Sequence, residues 1–260
     1  MSEELGREFF TVLRTVFERY ELKYMLTIEQ KERICRAMLP YMELEKYGRT
    51  TVRNLYFDTD SYRLIRRSIE KPTYKEKLRI RSYTQATSES TVFVELKKKY
   101  EGVVYKRRIP LCEQDAMRWV CREISAPVDT QISREIDYVI DFYGTLKPKV
   151  FLSYEREAYE ERTGGDFRVT FDENILCRQD DLFLTSPAYG TPLLAKGKIL
   201  MELKSAGGIP LWMTALLSRE RLYKIPFSKY GTVYQTLIFP ERYSQNPTEK
   251  KEISINGCYL

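Results

Sequence analysis

The chain has 260 residues, of which 43% are hydrophobic and 31% are charged, as expected for a protein with a full core. It contains no histidine, which excludes Ser-His-Asp and Cys-His catalytic systems, phosphohistidine intermediates and His-based metal sites. Lys and Arg outnumber Asp and Glu by 43 to 37, and the net charge of +6 suggests an anionic partner without requiring one.

The five cysteines are widely spaced and never form a C-x-x-C pair, so we expect neither a disulfide framework nor a zinc knuckle. This pattern fits a reducing cytosol and predicts a cytoplasmic protein. The opening residues, MSEELGREFF, lack the charged-then-apolar pattern of a signal peptide. No apolar run approaches about 18 residues, so we expect no transmembrane segment.

The first predicted elements are a helix over residues 2–17, a strand over 19–26 and a helix over 28–42. The first helix places aromatic and aliphatic side chains on one stripe, and Ser2 can cap it. The second helix starts at a capping box, in which Thr27 is followed three residues later by Gln30.

Period-2 alternation of apolar and polar residues then becomes the dominant pattern, and it is typical of strands with one buried face. It predicts strands over residues 51–58, 73–84, 91–100, 102–110, 149–158, 167–175, 181–184 and 199–205. A tight turn at Glu101 and Gly102 would join two of these strands in a hairpin. Helices are predicted over residues 112–123, 211–221 and 228–237, whereas residues 132–141 fit a short helix or a strand.

Successive strands with short turns, and the absence of strand–helix alternation, predict an α+β fold. We expect it to be mainly an antiparallel β-sheet, closed into a barrel, with peripheral helices. No internal linker is evident, so we expect a single domain over residues 1–240. Residues 241–260 are expected to form a polar, mobile tail.

Basic residues recur on one face of several predicted strands, because residues i, i+2 and i+4 of a strand point the same way. Two such faces carry Lys75, Lys77, Arg79 and Arg81, and then Glu95, Lys97 and Lys99. For any single strand a solvated outer face is the simpler interpretation. The recurrence instead favours an inward-facing, water-filled channel whose cations hold a polyanion such as a chain of phosphates. The few inward carboxylates could hold a divalent cation.

Nine segments resemble the triphosphate tunnel metalloenzyme (CYTH-like) superfamily, and within it the VTC domain of polyphosphate polymerases. They occur in the family order over about residues 18–235 and read RYELKYML, YFDT, KLRIRSY, VFVELKKK, KRRIPL, SYEREAY, FRVTFDENI, ILMELKS and IPFSKYG. The E-x-K tripeptide appears three times, at Glu21/Lys23, Glu95/Lys97 and Glu202/Lys204.

The resemblance implies an eight-stranded antiparallel tunnel and a cytosolic, ATP-dependent polyphosphate polymerase that uses Mn²⁺ or Mg²⁺. The implied catalytic residues are basic side chains that line the tunnel: Lys23, Arg79, Arg81, Lys97, Arg156, Lys204 and Lys229. The implied metal ligand is Glu202, with Glu21 and Glu95 as further candidates. Supporting positions for phosphate binding are taken by Arg19, Lys106, Arg108 and Arg168. The expected partners are ATP, inorganic polyphosphate and orthophosphate; no nucleic acid is expected, and a membrane-bound partner is left open.

One position departs from the related tunnel hydrolases, which begin with E-x-E-x-K. Arg19 stands two residues before Glu21, where those enzymes have a carboxylate. A cation there weakens metal binding, especially of a second ion that would activate water, and so favours phosphoryl transfer over hydrolysis. Two alternatives stay open: a hydrolase of triphosphate, nucleoside triphosphates or RNA 5′ ends, and a non-catalytic polyphosphate-binding module.

Overall fold

The computed structural model describes residues 20–101 and 103–245. The strands are β1 (Tyr20–Leu26), β2 (Met42–Asp58), β3 (Tyr74–Ser82), β4 (Thr91–Tyr100), β5 (Val103–Cys112), β6 (Lys147–Glu161), β7 (Arg168–Arg178), β8 (Thr191–Pro192) and β9 (Ile199–Ser205). The helices are α1 (Ile28–Met38), α2 (Arg63–Ile69), α3 (Glu113–Val120), α4 (Gln131–Tyr143), α5 (Leu211–Arg219), α6 (Lys229–Val233) and α7 (Phe239–Gln245). A π-helical turn, Tyr234–Ile238, joins α6 to α7.

The strands form one antiparallel sheet of nine members in the order β1-β9-β7-β6-β2-β3-β4-β5, with β8 beside β7. The antiparallel α+β character follows the prediction, but the eight-stranded closed barrel is wrong. β1 and β5 stand at the two edges, and no backbone pairing joins them in the described part of the chain. The sheet is therefore open, although it curves strongly enough for side chains of β1 and β4 to meet.

The chain that precedes α6 contacts the free edge of β1. Ile225 donates its backbone N–H to the carbonyl of Lys23 at 2.9 Å, and Lys23 Nζ donates to the carbonyl of Phe227 at 2.8 Å. Across the opening, Lys97 of β4 reaches Glu21 of β1 with its side chain at 2.8 Å.

Several predicted boundaries also differ from the structure. β2 begins at Met42, much earlier than the predicted residue 51. The prediction missed its first part because both faces are largely exposed there, so the sequence lacks the alternation that marks a strand. Residues 181–184 form an irregular, bent segment and not a strand: Asp181 has a φ of +43°, and its carboxylate accepts hydrogen bonds from Ser186 and Tyr189. The ambiguous segment 132–141 lies within α4, and α2 was not predicted. The helix predicted over residues 2–17 lies outside the described residues, as do residues 246–260.

Apolar side chains pack on both faces of the sheet. On the outer face, one cluster around Trp119 and Ile136 lies under α3 and α4, and a second around Met38 and Leu216 lies under α1 and α5. On the inner face, a third cluster that includes Tyr230 is covered by α2, α6 and the π-helical turn. The rest of the inner face is polar, so charged side chains project there between the curved sheet and α6.

The cysteines of the described residues are free thiols and are buried or half-buried: Cys35, Cys112, Cys121 and Cys177. None of the helices within residues 20–101 and 103–245 is long and apolar enough to cross a membrane.

Asp58, at the end of β2, ties α2 and α6 to the sheet. Its side chain is fully buried and accepts hydrogen bonds from the backbone N–H groups of Leu64 and Ile65, at 2.9 and 3.0 Å. It also accepts one from the hydroxyl of Tyr230 at 2.9 Å. The ring of Tyr230 stacks on Tyr56, with 4.8 Å between centroids. One carboxylate thus caps α2 and fixes the helix whose first residue is Lys229.

We predict that Asp58→Ala lowers the free energy of unfolding by about 3 kcal/mol, because several buried donors lose their acceptor. Urea denaturation measures the change. Thr27→Ala is the control, since it removes only the cap of α1 and should cost about 1 kcal/mol. An Asp58→Ala variant no less stable than Thr27→Ala would contradict the role given to Asp58.

Candidate functional site

The register of the sheet brings charged residues together on its inner face, because directly paired residues of antiparallel strands share a face. Lys23 of β1 lies opposite Glu202 of β9, and Arg79 of β3 lies opposite Glu95 of β4. The resulting inner charge cluster joins eight cations to four carboxylates through ion pairs. Its members are Lys23, Arg79, Arg81, Lys97, Lys106, Arg156, Lys204 and Lys229, with Glu21, Glu95, Asp172 and Glu202.

Glu202 is surrounded by cations from four directions. Its oxygens lie 3.2 Å from Nζ of Lys229 and of Lys204, 3.5 Å from Arg156 and 3.6 Å from Lys23. Burial by itself would raise the pKa of Glu202, but attraction to Lys229 and Lys204 outweighs burial and holds it well below its usual range. Glu202 is therefore a fixed anion around which the lysines are arranged.

Asp172 on β7 is fully buried and shares Arg156 and Lys229 with Glu202 as ion-pair partners. The guanidinium of Arg156 donates to both of its oxygens, at 2.6 and 2.7 Å, and Lys229 Nζ lies at 2.5 Å. The pKa of Asp172, which burial would raise, is lowered by these two cations. Asp172 was not among the predicted site residues. The signal was present in the alternation that puts it on one face with Arg168 and Thr170.

Glu95 organises the other half of the inner charge cluster and is 1% exposed. Arg79 donates to it at 2.7 and 2.9 Å, Lys106 Nζ lies at 2.8 Å and Arg81 at 3.7 Å. Burial opposes ionisation of Glu95, yet the three cations keep its pKa well below the usual value. Arg79 also donates to the hydroxyl of Tyr56 at 2.9 Å, which fixes the plane of its guanidinium.

Two further contacts show how positive the inner face is. Lys97 Nζ bonds both oxygens of Glu21, at 2.8 and 2.9 Å; burial raises the pKa of Glu21, but Lys97 lowers it to about 2. The phenol of Tyr154 lies among cations as well. Burial would raise its pKa, whereas Arg156, Arg81 and Lys229 together lower it to about 8.

The predicted supporting residues are not all part of the cluster. Lys106 belongs to the cluster through its ion pair with Glu95. Arg108 instead lies over the ring of Phe93, 3.8 Å from its centroid, and Arg168 pairs with Glu45. Arg19 lies outside the described residues.

Lys77 is a residue of the inner face that the predicted site did not include. It lies on β3 between the lysine and arginine two positions away on either side, and its Nζ donates to the hydroxyl of Ser228 at 2.8 Å. Burial and repulsion by Lys23 and Lys97 lower the pKa of Lys77 to about 7. Its place in the run of alternating basic residues was the signal that could have identified it.

The cluster has an excess of four positive charges before Lys77 is counted, and it lies on a partly enclosed surface. Guanidinium and ammonium groups form their strongest hydrogen bonds with anionic oxygens, and these bonds strengthen where water is partly excluded. An anion with several charges close together, such as a chain of phosphates, fits this distribution. An uncharged ligand would leave the net positive charge of the cluster uncompensated.

The inner face also fits a divalent cation held jointly with phosphate. No group of three or more Cys, Asp or Glu suited to a metal ion occurs within residues 20–101 and 103–245, so a cage made only of protein ligands is not present there. Mg²⁺ and Mn²⁺ are commonly held by one or two carboxylates plus the phosphates of a substrate. Glu202 could supply such a ligand, whereas both oxygens of the fully buried Asp172 are engaged by Arg156 and one also by Lys229.

Comparison with known proteins gives a family and a fold. The VTC domain family matches residues 18–238. A proposed adenylate cyclase from Bacillus halodurans has a similar structure, with a TM-score of 0.53 and 15% identity over 85% of this chain and 97% of that one. At this identity the likeness concerns the fold alone.

Two other solved structures are more distant, each with a TM-score of 0.44. One is a protein from Pyrococcus horikoshii, 14% identical over 87% of this chain and 99% of that one. The other is a proposed adenylate cyclase from Vibrio parahaemolyticus, 11% identical over 85% and 99%. No curated protein matches the chain.

The crowding of cations around Lys77 yields a prediction for the ligand-free protein. Because its pKa is about 7 in the folded chain and 10.5 in the reference state, the unfolded chain binds more protons between these values. The charge of Lys77 destabilises the folded protein fully below about pH 7, and this destabilisation is lost as the pH rises towards 10.5. Lys77→Met should therefore raise the free energy of unfolding by about 4 kcal/mol at neutral pH and by nearly nothing well above pH 10.5.

Urea denaturation at both pH values measures this effect, with the exposed Lys198→Met as control. A gain that does not depend on pH would show that Lys77 is not destabilised by charge.

Proposed function

The chain belongs to the VTC domain family, and on that basis we propose that it is an ATP-dependent polyphosphate polymerase. It would transfer the γ-phosphoryl group of ATP to the end of a growing chain of inorganic polyphosphate. The observation that carries the proposal is the inner charge cluster, in which eight cations face four carboxylates on the inner side of a curved sheet. Such a surplus suits a ligand that is anionic along its whole length.

Phosphate binding would add hydrogen bonds to the ion pairs already present. In the free protein the carboxylates hold Arg79 and Arg156 with their guanidinium planes fixed by two hydrogen bonds each. The remaining N–H groups of these side chains can donate to phosphate oxygens in a fork geometry. Lys23, Lys204 and Lys229 surround the same region with their ammonium groups, each held near Glu202. The phosphates are thus met by donors that need little reorganisation.

The transfer step requires no general base. A new bond forms between the γ-phosphorus of ATP and a terminal oxygen of the acceptor, which is polyphosphate or, at initiation, orthophosphate. The bond from the γ-phosphorus to the β–γ bridging oxygen breaks, and ADP leaves with that electron pair. The attacking oxygen is already anionic, so no proton has to be removed, in keeping with a chain that has no histidine. Catalysis is then positioning and charge stabilisation.

A divalent ion would be held by Glu202 and the bound phosphates, with Asp172 close by. When bound, it would supply additional neutralisation of charge on the transferring phosphoryl group. Lys229 and Arg156 contact both carboxylates and would orient them towards the phosphates.

Product analysis tests the proposal. The protein is incubated with ATP and Mn²⁺, and the products are separated by gel electrophoresis and assayed for ADP and orthophosphate. Acid-labile polymer together with ADP is the expected result. Orthophosphate without polymer would identify a hydrolase instead, and unchanged ATP would leave an anion-binding module.

We predict that Glu202→Gln reduces polymer formation at least about 100-fold, since it removes the anion that organises four cations and the metal ligand. Arg79→Ala should have a similar effect because it removes a bidentate donor. Glu123→Gln, at an exposed position after α3, is the matched control and should leave synthesis unchanged. Circular dichroism monitors the fold, and normal synthesis by both site variants would refute the assignment of the inner charge cluster.

A further inference from the structure

Lysines of β3 and β4 extend the inner face beyond the inner charge cluster. Lys77 lies directly opposite Lys97, and Lys75 lies directly opposite Lys99. We term these four residues the lysine ladder; it shares Lys97 with the cluster. The two rungs are separated by two residues along each strand, or about 7 Å. The ladder therefore continues the basic surface along the strands towards the β4–β5 turn.

The ladder differs from the cluster in having almost no carboxylates. Lys75 Nζ donates to the backbone carbonyl of Ser68 at 3.0 Å, and Lys77 Nζ donates to the hydroxyl of Ser228. Of the four lysines, Lys97 alone forms an ion pair among the described residues, and its partner is Glu21. In the cluster, by contrast, every cation contacts a carboxylate. The ladder thus attracts anions without providing ligands for a metal ion.

Like charges directly opposite each other in a sheet are destabilising, and here two such pairs are adjacent. Burial and then repulsion by Lys99 and Lys71 lower the pKa of Lys75. Lys77 is faced by Lys23 of β1, Lys97 of β4, and Lys75 and Arg79 of its own strand, and its pKa is lowered in the same way. An anion between the rungs would relieve this repulsion. Mutual repulsion among cations is expected of a phosphate-binding site that holds no ligand.

We propose that the lysine ladder is a separate phosphate-binding subsite, which holds the phosphoryl groups of a linear polyphosphate that extend beyond those seated on the inner charge cluster. The inference rests on the proposed function and specifies its substrate. A nucleoside triphosphate can be accommodated by the cluster alone. A longer chain reaches the ladder. The ladder therefore determines how much more tightly a long polyphosphate binds than a short one.

The test compares two ligands in the absence of metal and nucleotide, so that no chemistry occurs. Isothermal titration calorimetry measures the affinity of the full chain for tripolyphosphate and for long-chain polyphosphate. The variant is Lys75→Met with Lys99→Met, which removes the outer rung. Lys75→Arg with Lys99→Arg keeps the charge, and Lys196→Met with Lys198→Met removes two exposed lysines elsewhere on the surface.

The native protein should bind long-chain polyphosphate more tightly than tripolyphosphate. Removing the outer rung should weaken long-chain binding about ten-fold and leave tripolyphosphate binding within about two-fold. The arginine variant should retain long-chain binding, and the control should match the native protein.

Several results would overturn the inference. Unchanged long-chain affinity in the outer-rung variant would show that the ladder makes no contact. An equal loss for both ligands, or an equal loss in the control, would show a general effect of net charge. If the native protein bound neither ligand, the proposed function itself would fail. If it bound both ligands equally, only the subsite would fail. Melting temperatures of all variants establish that each one is folded.

Discussion

The inner face depends on mutual neutralisation of buried charges. Desolvated cations are costly unless carboxylates compensate them, and removing one partner of such a pair leaves an uncompensated charge that is strongly destabilising. Glu95, Asp172 and Glu202 supply this compensation, each to at least two cations. The same three carboxylates fix the directions of the arginines and lysines, so the stability of the sheet and the geometry of the site have a common origin.

Much of this site could be predicted from local sequence because strands have a period of two. The alternation in TYKEKLRIRSYT fixes which side chains share a face, and the hydrophobic set opposite them fixes which face is buried. Lys23, Arg79, Lys97, Arg156 and Lys204 were identified in this way together with the family resemblance, and the structure places them in one cluster. The VTC family, expected from nine short segments, is confirmed by the match over residues 18–238.

The features that escaped prediction depend on contacts between distant parts of the chain. Closure of the sheet requires β1 to pair with β5, its opposite edge, and no local pattern in either strand reports whether that pairing forms. Asp172 looks like any polar residue of an alternating strand until Arg156 and Lys229 are placed beside it. The N-terminus of α2 is capped by the carboxylate of Asp58, which lies six residues before Leu64, the first residue of the helix whose backbone N–H it accepts.

The segment that covers β1 also has a consequence for biosynthesis. Lys23, on the first strand, donates its side-chain hydrogen bond to the carbonyl of Phe227, more than 200 positions later. The helix that starts at Lys229 follows directly. A ribosome must therefore release nearly the whole sheet before these groups can assemble. Until then the nascent chain carries an uncovered strand edge and a concentration of like charge, which is the stage at which a chaperone or a polyanion would have the greatest effect on yield.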